Sequence, residues 1–268
     1  MPDEITLKDP GALAEVPFSV EELARDVDLG GKMGLQDIAV PYLYILQTNS
    51  PQCNPDHAKY IKGSLSSMLY LSNLEKVYDG RDVGLAVVPC YYERLINEWV
   101  PRNQGGGLVG SHDPDAEVVK TAKMKLVDEK EVLVLPNGHH MVETAYHYML
   151  AYLPDGKVWV QTICPFKSTA LKVSRRMNSR ISTTMIPNTE KKAPRFLFTW
   201  RFRTVKEQAD EYVWSSPQLE MEKMVTADVY LAARAYAMIA AKGVLRRVAV
   251  ESEQELAGSS ASHEEVPF

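Results

Sequence analysis

The chain has 268 residues, 45% of them apolar, and a formal net charge of −5 at pH 7. The apolar residues are numerous enough to build one sizeable core. The sequence has neither an N-terminal apolar signal segment nor a run of about 18 apolar residues. We therefore expect a cytoplasmic protein without a membrane partner. The three cysteines, Cys53, Cys90 and Cys164, lack CxxC spacing and indicate buried thiols rather than disulfides or a zinc site.

The chain opens with an acidic, proline-containing segment, residues 1–30, in which Val20–Asp26 is a helical candidate. Strands are predicted next at Val40–Gln47, Ser64–Leu71 and Val83–Val100, because these stretches are strand-like and bounded by turn residues. Since proline cannot donate a hydrogen bond to a strand ladder, Pro89 predicts a bulge or an edge position in the third strand.

A glycine-rich stretch, PRNQGGGLVGSHDPD, follows the third strand. Its core, Gly105–Gly110, matches the dinucleotide-binding pattern literally, but that pattern has to open a strand–helix–strand unit. The preceding strands have antiparallel character instead, so we interpret the stretch as a hairpin tip, with Arg102 as a DNA contact. Asp113 and Pro114 then predict a short helix running toward Val127.

The rest of the chain continues as strands with occasional helices. Strands are predicted at 131–135, Val142–Leu153, Lys157–Ile163, Arg195–Thr204 and Ala209–Ser215, and helices at Phe166–Ile181 and Ala227–Lys242. Asp155-Gly156 is a hairpin signal, and Gly243 suits the position after a helix. Because alternating strand–helix–strand units are absent, we predict a mainly β fold with added helices, an OB-fold-like antiparallel barrel with helical elaborations.

Charge is distributed unevenly along the chain. The window from Lys157 to Lys206 holds twelve Lys or Arg residues and a single acid, Glu190, so it carries a net charge of +11 and the remainder −16. Such asymmetry indicates a surface that binds a polyanion, together with acidic segments elsewhere.

The strand PRFLFTWRFRT lies inside this window. Alternation along a strand places Arg195, Arg201 and Arg203 on one face, where they would follow the phosphates of a DNA strand. On the other face, Trp200 and Phe198 are candidates for stacking on unpaired bases, unless the aromatic face forms the core. In that case the stacking candidates are Tyr91, Tyr92, Trp99, Tyr146, Tyr148 and Trp214.

The predicted helix FKSTALKVSRRMNSRI supplies a second basic group. Its members, spaced so that three or four share a face, are Lys172, Arg175, Arg176 and Arg180. The helix contains no acid to pair with them, which favours nucleic-acid contact over a plain solvated face.

Residue types used in catalysis do not form a recognisable signature. His112 lies near Asp113 and Asp115, and a second group contains His139, His140, Glu143 and His147. The second group lies in a strand-like stretch, which does not place its members on one face. The sequence has no HExxH, paired-acid or GxSxG pattern, so we predict no enzymatic activity, no cofactor and no metal.

The last residues, Glu264-Glu265-Val266-Pro267-Phe268, resemble the acidic tip of bacterial single-strand-binding proteins. The body of the chain looks more like phage-encoded single-stranded-DNA-binding proteins of the T7-like type. The segments VPYLYILQTNSPQ and NEWVPRNQGGGLVGSHDP are similar to a phage family of this kind, over roughly residues 38–216. The resemblance implies an OB-fold, single-stranded DNA as ligand, and an acidic tail ending in an aromatic residue.

These observations predict three regions: an acidic N-terminal segment (1–30), an OB-fold-like DNA-binding domain (31–247) and a disordered acidic tail (248–268). In the tail, Glu264, Glu265, Pro267 and Phe268 are expected to bind a replication or recombination protein such as a polymerase, helicase or nuclease. The acidic residues are also expected to compete with DNA for the basic surface.

The predicted function is sequence-independent binding of single-stranded DNA in phage replication or recombination, in a possible homo-oligomer. The alternatives are a phage recombinase or strand-annealing protein, a virion protein that contacts DNA, and a metal-dependent nuclease.

Overall fold

In the computed structural model, the described residues are 39–127, 130–209, 212–243 and 245, without the side chains of Arg102 and Lys130. The strands are β1 (Leu43–Ile45), β2 (Leu69–Leu71), β3 (Lys76–Tyr78), β4 (Leu85–Trp99), β5 (Leu108–His112), β6 (Lys123–Val127), β7 (Lys130–Val134), β8 (His140–Leu153), β9 (Val158–Lys167), β10 (Phe198–Ala209) and β11 (Tyr212–Met224). The helices are α1 (Glu117–Lys120), α2 (Leu171–Thr183) and α3 (Ala227–Ala241).

The described strands form two open antiparallel sheets. β1, β2 and β3 make a three-stranded sheet, and the eight-stranded sheet runs β11-β10-β4-β8-β7-β6, with β5 paired to β4 and β9 to β8. The prediction of a mainly antiparallel β fold with added helices is therefore confirmed. Neither sheet closes on itself within the described residues, so the OB-fold-like barrel of the prediction is not seen in them.

Hairpins connect most of the neighbouring strands. β8 and β9 pair from Leu153 and Val158 onward, as the Asp155-Gly156 signal predicts. The ladder between β4 and β8 shifts register between Pro89 and Tyr91, which confirms the predicted bulge. The glycine-rich stretch joins β4 to the antiparallel strand β5, so it is a hairpin tip and does not open a helix as a dinucleotide-binding turn would.

The two longer helices cover opposite faces of β8. His147 is hydrogen-bonded to Ser174 of α2 at 2.8 Å, whereas the ring of Tyr148 lies 6.3 Å from the ring of Tyr236 in α3. Because consecutive side chains of a strand point to opposite faces, α2 and α3 lie on different sides of the sheet. This explains why residues 144–151 of β8 are buried without interruption, as expected of a strand that is covered on both faces.

Two buried clusters fill the space beneath these helices. The cluster under α3 includes Val88, Leu95 and Tyr146 from the sheet. The cluster on the other face contains Met177 of α2 with Trp200 and Phe202 of β10, together with apolar residues of β1 and β2. The aromatic face of β10 is therefore part of the core.

Several predicted boundaries need correction. The predicted helix running toward Val127 is wrong, because α1 ends at Lys120 and β6 follows, where lysines alternate with apolar residues in the strand period. The predicted helix from Phe166 begins only at Leu171, since β9 continues to Lys167. The end of α3 is confirmed: Gly243 has φ +71°, the left-handed conformation that favours glycine after a helix.

The described residues from Val40 onward form one compact unit. All of the predicted N-terminal segment (1–30) and all of the predicted tail lie outside the described residues, including the helical candidate Val20–Asp26. The boundaries proposed for the three regions remain predictions.

Candidate nucleic-acid interface

The outer face of α2 carries the basic residues predicted from the helix pattern. On the inner side, Ser174 and Met177 are buried and anchor the helix to the sheet. The exposed residues are Lys172, Arg175, Arg176, Ser179, Arg180, Ser182 and Thr183. Every one of them is basic or carries a hydroxyl group, so this face contains no acidic side chain that would repel a phosphate. We call it the α2 basic face.

The four cations of the α2 basic face differ in their partners. Lys172 donates to Glu207 of β10 at 2.9 Å, and Arg175 lies 3.8 Å from Glu143 of β8. Arg176 and Arg180 form no ion pair with any of the described residues. They are the cations of this helix that a phosphate can contact without displacing a carboxylate.

A short hairpin loop extends the α2 basic face at the helix C-terminus. It begins at Thr184 and returns to it, since the amide of Ala193 donates to the Thr184 carbonyl at 2.9 Å. Lys191 and Lys192 are exposed on the returning arm. Both belong to the basic window of the sequence, but only the fold shows that they return to the end of α2.

The arginines of β10 are neutralised by glutamates of β11. Arg201 donates to both carboxylate oxygens of Glu222, at 2.9 and 3.4 Å, and Arg203 contacts Glu220 at 3.5 Å. These pairs run diagonally between the hairpin strands, where opposite charges stabilise the sheet. The predicted phosphate contacts at Arg201 and Arg203 are therefore not supported by their placement.

Arg195 also has a structural environment. It donates to the side-chain oxygen of Asn178 in α2 at 2.7 Å, and its guanidinium lies 5.5 Å from the centre of the Tyr92 ring. Burial is the main cause that lowers the pKa of Arg195. The residue ties α2 to the sheet and does not extend the exposed basic surface.

Of the two predicted stacking residues, Trp200 is buried and Phe198 is partly exposed. Trp200 is 3% exposed and packs in the core, and Phe198 lies at the edge of that core beside Ile181 of α2. A base cannot stack on a buried ring, because both ring faces are already in contact with protein. Of the alternatives, Tyr146 and Tyr148 are buried as well.

Two aromatic residues of β11 remain accessible. Trp214 of β11 is partly exposed and lies directly opposite Glu207, the partner of Lys172. Tyr212 is 51% exposed and shares this face of the strand. The structure thus places the accessible ring of Trp214 beside the partner of Lys172 in the first turn of α2, a position that the sequence pattern did not distinguish.

The remaining predicted site residues lie outside the described part of the chain. They are the side chain of Arg102 and the tail residues Glu264, Glu265, Pro267 and Phe268. The contacts predicted for them remain predictions.

A buried histidine lies beneath the α2 basic face. His147 packs between Tyr92 and Phe166, with ring centroids 5.1 and 4.9 Å away. Burial, with a smaller contribution from the nearby Arg195 charge, lowers the pKa of His147 to about 3. The imidazole is neutral at physiological pH, and its hydrogen bond to Ser174 holds the centre of α2 on the sheet.

A second histidine cluster lies at the end of β4 and was missed by the sequence analysis. Glu98 accepts hydrogen bonds from His112 Nε2 at 2.8 Å and His139 Nδ1 at 2.6 Å. Burial alone would raise the pKa of Glu98, but the hydrogen bonds from His139, His112 and Asn137 hold it below its ordinary value. These residues are far apart in sequence, and strand pairing alone brings them together.

Replacing Glu98 by Gln is expected to lower the free energy of unfolding by about 2 kcal/mol at neutral pH, because hydrogen bonds to a buried charge are lost. The pKa of Glu98 is lower in the folded chain than in the unfolded chain. The stabilisation is therefore fully present at a pH above the pKa of the unfolded chain, and it is lost as the pH falls through the pKa of the folded chain. Urea unfolding at several pH values measures the difference. The exposed Glu117→Gln is the control, and an equal loss in the two variants would contradict the assignment.

The described residues contain no helix long and apolar enough to cross a membrane. They also contain no group of His, Cys, Asp or Glu side chains arranged to hold a metal ion.

Comparison with known proteins identifies a family. The model of the Pam3 phage gp34-like protein family matches residues 15–245. No curated protein and no solved structure matches the chain.

Proposed function

The chain belongs to the Pam3 phage gp34-like protein family, and on that premise we propose that it binds single-stranded DNA without sequence preference during phage DNA replication or recombination. One observation carries the proposal. Arg176 and Arg180 are exposed on a helix face that contains only basic and hydroxyl side chains, and no carboxylate of the described residues pairs with them.

The proposed interface combines phosphate contacts with base stacking. The sugar–phosphate backbone of the DNA strand would lie along the α2 basic face and continue past Lys191 and Lys192. Trp214 and Tyr212 offer accessible rings at the other end of this path, and base–aromatic stacking contributes about 1–3 kcal/mol per base. Neither group of contacts reads base edges, which accounts for the absence of sequence preference in the proposal.

Binding of a fluorescently labelled oligo-dT strand, measured by anisotropy over a salt series, tests the proposal. We expect saturable binding to single strands that weakens as salt rises, with a slope of about −0.7 per neutralised phosphate on logarithmic axes. No binding at low salt would refute the proposal. Tighter binding to a duplex of the same length would point instead to a protein that contacts double-stranded DNA.

The same measurement also tests the predicted role of the tail when the full chain is compared with a shortened variant. A variant ending at Val250 lacks the acidic residues that are expected to compete with DNA. If they compete, this variant binds oligo-dT more tightly than the full chain, most clearly at low salt. Equal affinity would remove competition from the proposal and leave DNA binding itself intact.

A further inference from the structure

Helix α3 is apolar almost all the way round. Of its 15 residues, only Asp228 and Arg234 are charged. The inner face, which includes Val229, Ala233 and Tyr236, is buried against the sheet. On the opposite face, Leu231 is 60% exposed and Met238 is 57% exposed.

This outer face differs from what a solvated helix normally presents. A surface helix usually carries polar residues opposite its buried stripe, as α2 does. In α3, Leu231, Ala235 and Met238 follow one another at helical spacing along the outside, and the exposed Arg234 flanks them on one side. An exposed stripe of this kind is typical of a face that packs against another protein surface.

We propose that a second copy of the chain covers this face, with the two α3 helices packed antiparallel about a two-fold axis at Ala235. The alanine at the crossing point allows the helix backbones to approach closely. Leu231 of one copy then lies beside Met238 of the other, so each copy contributes the same apolar contact twice, as a two-fold interface requires.

The charges at the ends of α3 are complementary in this arrangement. Asp228 and Lys242 are exposed, one seven residues before Ala235 and the other seven residues after it. About a two-fold axis at Ala235, Asp228 of each copy therefore meets Lys242 of the other, at both ends of the contact. A parallel pairing would place like charges together, so the charge pattern selects the antiparallel one.

The size of the contact sets its expected strength. A helix of this length spans about 22 Å, and one helix pair buries less area than a standard stable interface. We therefore expect a dimer with a Kd of roughly 10 µM. Since α3 and the α2 basic face lie on opposite sides of β8, the dimer leaves both basic faces open, and the inference does not depend on DNA binding.

Sedimentation velocity of the full chain, from about 1 to 200 µM, measures the association directly. We expect a monomer–dimer equilibrium that Leu231→Gln combined with Met238→Gln shifts at least about tenfold toward monomer. A full chain that stays monomeric over the whole range overturns the proposal. The chain's own tail would then be the better candidate for this face, and dimerisation of a variant ending at Val250 alone would not rescue the proposal.

Site-specific crosslinking tests the geometry. In a Cys53→Ser background, Ala235→Cys places two thiols side by side at the proposed axis, and a short bis-maleimide should join them. Ser179→Cys, exposed on α2, is the matched control. Crosslinking at Ala235→Cys that is no faster than at Ser179→Cys overturns the antiparallel arrangement. Circular dichroism of each variant verifies that it is folded.

Discussion

Replacing Arg176 and Arg180 together by glutamate is expected to weaken binding to single-stranded DNA about 10- to 100-fold at roughly 0.1 M salt. Each reversal replaces an attraction to a phosphate by a repulsion. Each of these two interactions is worth about 1 kcal/mol at contact distance in water before salt screening. Because two phosphate contacts are lost, the salt slope should also become shallower by about 1.4. Anisotropy titrations with oligo-dT over a salt series measure both quantities.

Two matched variants separate the local effect from the change in overall charge. Lys59→Glu with Lys62→Glu makes the same change in charge at exposed positions of the loop before β2. Arg201→Gln with Glu222→Gln removes an existing ion pair and leaves the net charge unchanged. Both are expected to bind nearly as the natural chain does. If the loop variant weakens binding as much as the α2 variant, the α2 basic face is not the interface.

Acidification from pH 6.5 toward pH 3 is expected to remove roughly 5 kcal/mol of stability through His147 alone. In the unfolded chain its imidazole takes up a proton near its ordinary pKa of about 6.5, whereas in the folded chain it remains neutral down to about pH 3. The contribution is therefore fully present above pH 6.5. Below it, the unfolding free energy falls by about 1.4 kcal/mol per pH unit.

Urea unfolding followed by tryptophan fluorescence, at about pH 7, 6 and 5, isolates this slope before most carboxylates titrate. His147→Gln retains a group that can hydrogen-bond to Ser174 but cannot take up the proton. We expect this variant to be less stable at pH 7 and to show a flatter pH dependence. His57→Gln, in the loop before β2, is the matched control for the exchange of a histidine for glutamine. Parallel pH profiles for the natural chain and His147→Gln would contradict the assignment.

The two predictions meet at α2. The same helix presents Arg176 and Arg180 outward and is held to the sheet by the Ser174–His147 hydrogen bond and by Asn178 with Arg195. Because acidification favours the unfolded chain, it is expected to remove the proposed DNA-binding surface together with the fold.

Local patterns were sufficient to predict most of the elements. Runs of strand-forming residues located β4, β8 and β9, because side-chain period and turn residues are properties of neighbouring residues. Pro89 and Gly243 marked a bulge and a helix end for the same reason, since their backbone preferences do not depend on distant contacts. The exposed cations of α2 also follow from spacing along one helix.

Only the tertiary structure decided which cations are available. The sequence window around β10 contains almost no acid, yet Glu220 and Glu222 of the next strand neutralise Arg201 and Arg203, and Glu207 pairs with Lys172. It likewise buried Trp200 while leaving Trp214 accessible, and joined Glu98 to His112 and His139. Helical spacing and strand alternation act between near neighbours, so the sequence by itself determined the elements and their faces. The pairing of strands and the packing of helices on the sheet bring together residues that are distant in sequence. These long-range contacts decided which charges and rings remain free to bind.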